Sequence, residues 1–197
     1  MEVASESPGD PGVFSFSAIS FPAMASESQV PEVLIRRANR DDCAAILGIY
    51  NHAVLHTTAS YDYEPRTLAQ RLEWFDAHQR DDLAIFVAEV PGGEVVGWSA
   101  LNKYHDRVGF RFTAENSIYV AESWRGRGLG GLLLEPLIRA AEIRGLHAII
   151  AAIDAENATS VRLHARFGFE KVGHFREVGF KFDRWLDVVY MQRLIHR

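Results

Sequence analysis

The sequence predicts an α/β (α+β) fold in which a central mixed, twisted sheet is flanked by helices. Residues 83–120 contain consecutive strand patterns with no helix between them, which favours antiparallel neighbours. A glycine-rich turn at residues 126–131 then leads into an apolar helix and a strand at residues 147–153, which is the pattern of a parallel crossover. One sheet that holds both kinds of pairing is therefore expected.

The N-terminal segment differs in composition from the rest of the chain. Residues 1–31 are rich in Ser, Pro, Gly and Glu, and this composition predicts a disordered tail. Residues 32–197 carry the periodic patterns of a single folded domain. The formal net charge is −5, and the chain beyond residue 35 is balanced and has no basic block. Neither nucleic acid nor an anionic membrane is therefore expected as a partner.

The domain begins with a short apolar strand at residues 33–35 and two helices. Asp41 or Asp42 is expected to cap the first helix, because a short side-chain oxygen there can accept from a free backbone N–H. Thr67 and Gln70 have the spacing of a capping box and begin the second helix.

The middle of the chain predicts a hairpin and the central crossover. The runs 83–90 and 95–101 flank a Pro-Gly-Gly-Glu turn and form the hairpin, which is followed by the strand that carries Glu115. The helix after the glycine-rich turn contains Pro136, where a kink is expected, and ends at Gly145. The last elements are a strand at 147–153, a helix at 158–167 ended by Gly168, and strands near 169–175 and 185–194.

Cysteine and histidine usage give no sign of a disulfide or a metal site. Cys43 is the only cysteine and lies in an apolar helix pattern, which favours a buried, inert thiol. His52 and His56 share a helix face, but no third ligand stands near them, so no metal is expected. Without a secretory signal or a long apolar run, the sequence predicts a cytoplasmic protein.

The glycine-rich turn is the strongest functional signal. Its glycines allow the backbone to approach a ligand and to present free N–H groups at the start of a helix, where the dipole favours an anion. Two arginines add guanidinium groups, which suit phosphate oxygens. A diphosphate is therefore expected here. The residues are Arg125, Gly126, Arg127, Gly128, Leu129, Gly130 and Gly131.

A dinucleotide-binding fold is the main alternative. Gly126, Gly128 and Gly131 fit G-x-G-x-x-G, and Asp154 follows the next strand as a ribose-binding acid would. Against this, a doubly wound sheet needs helices between its strands, and residues 83–120 offer none. An oxidoreductase therefore stays open as a second hypothesis.

The turn also resembles a known motif. Residues 125–130, Arg-Gly-Arg-Gly-Leu-Gly, resemble the acyl-CoA pyrophosphate motif of the GNAT acetyltransferase superfamily. The surrounding residues resemble its phosphinothricin and amino-acid N-acetyltransferase branch over about residues 33–195. Other marks of the resemblance are Thr113-Ala114-Glu115, Ser160-Val161-Arg162-Leu163-His164 and Val178-Gly179-Phe180-Lys181-Phe182.

The resemblance implies an acetyl-CoA cosubstrate and a set of residues that handle it. Glu115 matches the proposed general base, which a protonated amine needs before it can attack a thioester. His164 matches the position that protonates the departing thiolate, although on spacing alone it is as often a partly buried structural residue. Asn157 and Ser160 are implied to bind the cofactor, yet helix capping explains both as well. Backbone groups of Ile118, Tyr119 and Val120 are implied to pair with pantetheine.

The acceptor is the less certain half of the reaction. Arg107 matches a basic position used on the acidic group of an amino-acid-like substrate. Glu115 and the adjacent Asn116 are also expected to bind the acceptor. His105 stands where the branch commonly has Arg or Lys, which predicts a weaker or pH-dependent grip on that group.

The first hypothesis is thus N-acetylation of a small-molecule amine: the α-amine of an amino acid or of an analogue such as phosphinothricin, methionine sulfone or methionine sulfoximine. A CoA-binding domain without catalysis is a third hypothesis. The branch also implies a homodimer, for which residues 178–185 offer aromatic surface.

Overall fold

The computed structural model describes residues 32–195, so the predicted tail at residues 1–31 lies outside the described residues. Helices and strands follow one another in the predicted order. They are β1 (Leu34–Arg37), α1 (Cys43–His56), α2 (Leu68–Arg80), β2 (Ile85–Glu89), β3 (Val95–Lys103), β4 (Thr113–Val120), α3 (Leu129–Ile143), β5 (Ala148–Asp154), α4 (Ala158–Arg166), β6 (Glu170–Lys181) and β7 (Arg184–Leu194).

The strands form one mixed sheet in the order β1-β2-β3-β4-β5-β7-β6. Within residues 32–195, β4 and β5 are the only parallel neighbours, and α3 connects them. All other neighbours in the sheet run antiparallel. The predicted fold class is confirmed, and a doubly wound parallel sheet is not what the chain forms.

The parallel pair separates halfway along its length. Pairing of β4 with β5 extends from Thr113 and Ala148 to Glu115 and Ile150 and then stops, although both strands continue. On its other side β4 stays paired with β3 up to Val120. The β5-facing backbone edge of residues 116–120 therefore borders an opening in the middle of the sheet, which we call the central cleft.

Both faces of the sheet are covered. Trp98 and Ala100 of β3 pack in a cluster with Cys43 and Phe75, on the side of α1 and α2. The hydroxyl of Ser99, between them, donates to the carbonyl of Leu133 of α3 on the opposite side at 3.0 Å. This alternation is the strand period of two, and it gives the sheet a helical layer on each face.

The N-terminal caps predicted for α1 and α2 differ in how well they match the structure. The box at Thr67 and Gln70 is confirmed, since each side chain accepts from the other residue's backbone N–H. Asp42 is the N-cap residue of α1, as predicted, but its side chain makes no capping hydrogen bond to that helix. Asn39 caps a short 3₁₀ turn that precedes α1, and Asp42 completes that capping box instead.

The last hairpin is longer than predicted. Strand β6 continues to Lys181 because an irregularity between Phe175 and Gly179, with Glu177 at a φ of +53°, carries it onward. Phe182 and Asp183 form the tight turn with φ of +51° and +56°. Two successive positive φ angles are normally adopted by Asn or Gly, so a turn at Phe182 and Asp183 could not be predicted from the residue types.

Candidate active site

The glycine-rich turn has the backbone that an anion site requires. Gly126 and Gly128 have φ of +77° and +82°, in the left-handed region, and Gly128 immediately precedes α3. The first N–H groups of α3 therefore lack acceptors in their own helix and point out of its N-terminus. Arg125 and Arg127 are exposed beside them, and the Arg127 guanidinium lies 4.6 Å from the ring centroid of Trp124.

Gly130 has a different role from Gly126 and Gly128. A Cβ atom on Gly130 would lie 2.9 Å from a methyl group of Leu163, so this glycine lets α4 approach the first turn of α3. Sequence analysis predicted that all of these glycines allow the backbone to approach a ligand. In the structure, Gly126 and Gly128 form the turn, whereas Gly130 allows α3 and α4 to pack closely.

The central cleft brings together both predicted catalytic residues and several of the predicted binding residues. It is a cavity of about 220 Å³ lined by both separated strands, by α4 and by the loop after α1. Predicted residues in its lining are Glu115, Asn116, Ile118, Tyr119, Asn157, Ser160 and His164. Ser60 and Tyr61 also line it and were not predicted as site residues, and so does Asp154, which the sequence suggested only as a ribose-binding acid in the dinucleotide alternative.

Glu115 lies at the point where β4 and β5 separate. Its side chain is half-buried, and burial raises the pKa of its carboxyl above the ordinary value of 4.5. No charged partner offsets that effect. A carboxylate that holds a proton more strongly in this cleft is suited to accept one from an amine.

His164 is buried, and both of its ring nitrogens are engaged. Its Nδ1 donates to the carbonyl of Ser160 at 2.8 Å, and its Nε2 lies 2.9 Å from Nδ2 of Asn116, which donates to it. Burial lowers the pKa of His164, so the imidazole is favoured in its neutral form. This arrangement fixes the position of Asn116, which turns toward α4 while its neighbour Glu115 faces the other way.

Asn157 has the capping role that the sequence left open. Its Oδ1 accepts from the backbone N–H of Ser160 at 3.0 Å and so begins α4 at the edge of the cleft.

A buried lysine holds the wall of the central cleft in place. The Nζ atom of Lys181 donates to the carbonyls of Thr57 and Ser60 at 2.9 and 2.6 Å, and the residue is only 3% exposed. This contact attaches the loop after α1 to the β6–β7 hairpin. Sequence reasoning missed it because the partners are more than a hundred residues apart.

His105 and Arg107 lie apart from the cleft. Both are exposed in the connection between β3 and β4, and neither lines a described cavity. Nδ1 of His105 accepts from the backbone N–H of Arg107 at 3.1 Å, which orders this part of the connection.

A second cavity, of about 300 Å³, adjoins the cleft and was not predicted. Its lining includes Arg71, Trp74 and Trp98, and it shares Ser117 and Tyr119 with the central cleft. Sequence reasoning had no signal for it, because Arg71 is one of several charged residues on α2 and the other walls of the cavity come from distant elements.

Other features of the described residues bear on function classes. In residues 32–195 no group of three or more His, Cys, Asp or Glu side chains has an arrangement that could hold a metal ion. Nε2 of His52 lies 3.2 Å from Oε2 of Glu122, and the ring centroids of His52 and His56 are 4.7 Å apart. None of the described helices is both long and apolar enough to span a membrane.

The chain matches known proteins over the region that forms this site. Residues 42–169 match the model of the Acetyltransferase (GNAT) family. The chain is 47% identical to an L-methionine sulfoximine/L-methionine sulfone acetyltransferase of Pseudomonas paraeruginosa, over 80% of this chain and 92% of the relative. It is 37% identical to a phosphinothricin N-acetyltransferase of Streptomyces coelicolor, over 82% and 96% respectively.

One solved structure is similar to this chain in both fold and sequence. An acetyltransferase of Salmonella typhimurium, solved with acetyl-CoA, superposes with a TM-score of 0.82 at 40% identity, covering 84% of this chain and 95% of that one. The sequence-based prediction of an acyltransferase is thereby confirmed. With its mixed sheet, its parted strands and its glycine-rich turn, the chain belongs to the GNAT acetyltransferase family.

Proposed function

We propose that the protein transfers an acetyl group from acetyl-CoA to the α-amine of a small amino acid or an analogue such as phosphinothricin, methionine sulfone or methionine sulfoximine. The observation that carries the proposal is the half-buried Glu115, with its raised pKa, at the point where β4 and β5 separate. The activities for which the relatives are named support the acceptor class.

The residues around the turn and the cleft fit acetyl-CoA. The N-terminus of α3 with Arg125 and Arg127 suits the diphosphate, because backbone N–H groups and guanidinium groups converge there. The edge of β4 from Ile118 to Val120 suits an added strand-like segment, which is how pantetheine can pair with backbone amides. Asn157 and Ser160 border the same cleft.

Glu115 acts in this proposal as the general base. An acceptor amine is protonated near neutral pH and must lose a proton before it can attack the acetyl carbonyl. The carboxylate of Glu115 takes that proton directly or through a water molecule. Its raised pKa lies closer to the pKa of the ammonium group, and this smaller difference in pKa makes the proton transfer less unfavourable.

His164 is proposed as the proton source for the leaving thiolate, a role for which it must first take up a proton from solvent to become the imidazolium ion. The observed geometry supports a second role, which is to hold Asn116 in place. The lowered pKa of His164 and its two hydrogen bonds favour neutral imidazole, which is a poor acid but holds Asn116 in place. Arg107 and His105 are proposed to meet the polar end of an acceptor at the mouth of the site, since the β3–β4 connection precedes the strand of Glu115.

An acceptor screen tests the function. Acetyl-CoA should raise the melting temperature of the protein by mass action, while NAD should leave it unchanged. Release of free thiol should then be faster with methionine sulfone, methionine sulfoximine or phosphinothricin than with polyamines, aminoglycosides or peptide lysines. A shift with NAD alone would favour the oxidoreductase, and acetyl-CoA binding without any thiol release would favour the non-catalytic domain.

A homodimer through the β6–β7 hairpin is proposed as well. Exposed apolar side chains there include Phe175, Val178, Phe180 and Trp185, and aromatic side chains are enriched at protein–protein interfaces. Sedimentation at micromolar concentration should give a dimer mass, and Trp185→Ser should shift it toward the monomer. Val108→Ser, at an exposed residue in the β3–β4 connection, is the matched control. A clean monomer for the parent protein would remove the dimer.

The cytoplasmic location and the lack of a metal, nucleic-acid or membrane partner remain predictions.

A further inference from the structure

The second cavity contains a buried guanidinium group without a polar partner. Arg71 is 5% exposed, and within residues 32–195 its side chain makes neither a hydrogen bond nor an ion pair. Its Nε atom is fully buried and has no acceptor. A buried charge is costly unless it is paired, so an arginine left in this state points to an acceptor supplied from outside the chain.

Aromatic rings hold this guanidinium group in place. Its Cζ atom lies 4.6 Å from the ring centroid of Tyr50, 4.5 Å from that of Trp74 and 5.4 Å from that of Trp98. Such contacts compensate a cation in part, and they fix its plane. They leave the N–H groups of the fork available, because ring faces do not replace hydrogen-bond acceptors.

The lining of this cavity, which we call the arginine cavity, carries positive charge only. Its walls are Tyr50, Arg66, Gln70, Arg71, Trp74, Trp98, Asn102, Ser117 and Tyr119. None of these is acidic. The carboxylate of Asp62 neutralises Arg66 at 2.7 Å, but no carboxylate within residues 32–195 forms an ion pair with Arg71. Burial lowers the pKa of Arg71, and the groups that act on it include no carboxylate.

The arginine cavity shares part of its wall with the central cleft. Ser117 and Tyr119 line both cavities, and they follow Glu115 at alternate positions on one face of β4. Alternate residues of a strand are about 7 Å apart, so a small amino acid can reach from the carboxylate of Glu115 into the neighbouring space. Asn102 joins the two regions, since its Nδ2 donates to the hydroxyl of Ser117 at 3.0 Å.

We propose that the arginine cavity is the acceptor's anion-binding pocket, in which Arg71 forms a forked hydrogen bond with a carboxylate or phosphinate group of the substrate. This inference rests on the proposed function, and it gives the acceptor a buried anchor in addition to the exposed His105 and Arg107. The aromatic walls accept the apolar part of the same molecule. Polycationic acceptors are disfavoured, because they would meet two arginines here.

The test compares charged and neutral acceptors in the parent protein and in Arg71→Met. The methionine side chain keeps much of the apolar volume and removes the charge. We expect KM for methionine sulfone to rise about 10- to 100-fold, the scale of a lost hydrogen bond to a charged group. KM for the carboxamide of methionine sulfone should change little. Phosphinothricin carries both a carboxylate and a phosphinate, and its carboxamide keeps only the phosphinate. If Arg71→Met still raises KM for this carboxamide, Arg71 binds the phosphinate; if it does not, Arg71 binds the carboxylate.

A second variant does not depend on removing a buried residue. Gln70→Glu places a carboxylate on the wall of the arginine cavity and keeps the capping box with Thr67, because Glu serves that box equally well. It should weaken charged acceptors and spare the carboxamides. Gln79→Glu, on an exposed turn of the same helix, is the matched control.

Binding measured without acetyl-CoA separates this inference from the proposed function. Calorimetric titration of the parent protein with methionine sulfone or inorganic phosphate should show binding that Arg71→Met and Gln70→Glu both weaken. If that holds while no amine is acetylated, the pocket stands and the proposed function fails. If either variant alters methionine sulfone and its carboxamide equally, or alters neither of them, Arg71 is a structural residue and the inference is overturned.

Discussion

Replacing Glu115 by Gln should lower kcat by about 10²-fold or more near neutral pH, because the amide cannot accept the proton of the acceptor amine. The substitution keeps the shape of the side chain, and the KM for acetyl-CoA should stay close to that of the parent protein. Steady-state rates of thiol release with saturating methionine sulfone measure the effect. Equal kcat values for the two proteins would exclude Glu115 as the base.

The pH profile gives this prediction its sharpest form. Glu115 must be deprotonated to act, so activity should rise with pH as the carboxyl loses its proton. Since burial raises the pKa of that carboxyl, the acidic limb should lie at higher pH than that of an ordinary glutamate, whose pKa is 4.5. The limb should vanish in Glu115→Gln. A limb that survives the substitution belongs to another group.

Stability supplies the control for the same variant. A carboxyl whose pKa is raised by folding favours its protonated form, so its contribution to stability is lost as pH rises through the folded-state pKa. At neutral pH the charged Glu115 therefore destabilises the fold. Glu115→Gln should melt at the same temperature as the parent or higher, which separates loss of catalysis from loss of folding.

Leu137→Ala should lower the free energy of unfolding by about 3 kcal/mol, within the range of roughly 2–5 kcal/mol typical of buried leucines. Leu137 is fully buried on the sheet-facing side of α3, in the largest core cluster, with Leu134, Ile149 and Met191. Removing its methyl groups leaves a cavity that the packed strands cannot close. Urea denaturation at 25 °C measures the loss.

The matched control lies at the end of the same helix. Ile143 is 88% exposed, so Ile143→Ala removes a similar side chain from solvent and should change stability by less than about 0.5 kcal/mol. Similar losses for the two variants would mean that burial does not decide the stability of α3.

Local patterns predicted most of the fold. Strand alternation, the Thr67 capping box and the glycine ends at Gly145 and Gly168 are set by neighbouring residues, and the structure confirms them. The same holds for Gly126 and Gly128, whose conformations follow from the turn itself.

What the sequence did not predict depends on distant contacts. The position of Lys181 follows from acceptors in the loop after α1, and the length of β6 follows from an unusual turn at Phe182 and Asp183. The arginine cavity forms only when α1, α2, β3 and β4 come together. In a one-dimensional reading, Arg71 is one charge among many on a helix.

Arg71 and Arg127 each lie against a tryptophan ring, so the intrinsic fluorescence of the protein should respond to ligand binding at either arginine. Trp74 lies against Arg71, Trp124 lies against Arg127, and indole emission responds to the electric field of a nearby charge. An anion that reaches the arginine cavity should therefore shift the fluorescence of Trp74, and a diphosphate at the glycine-rich turn should shift that of Trp124. Single Trp→Phe variants would assign each signal, so the order in which the two substrates bind can be followed without a label.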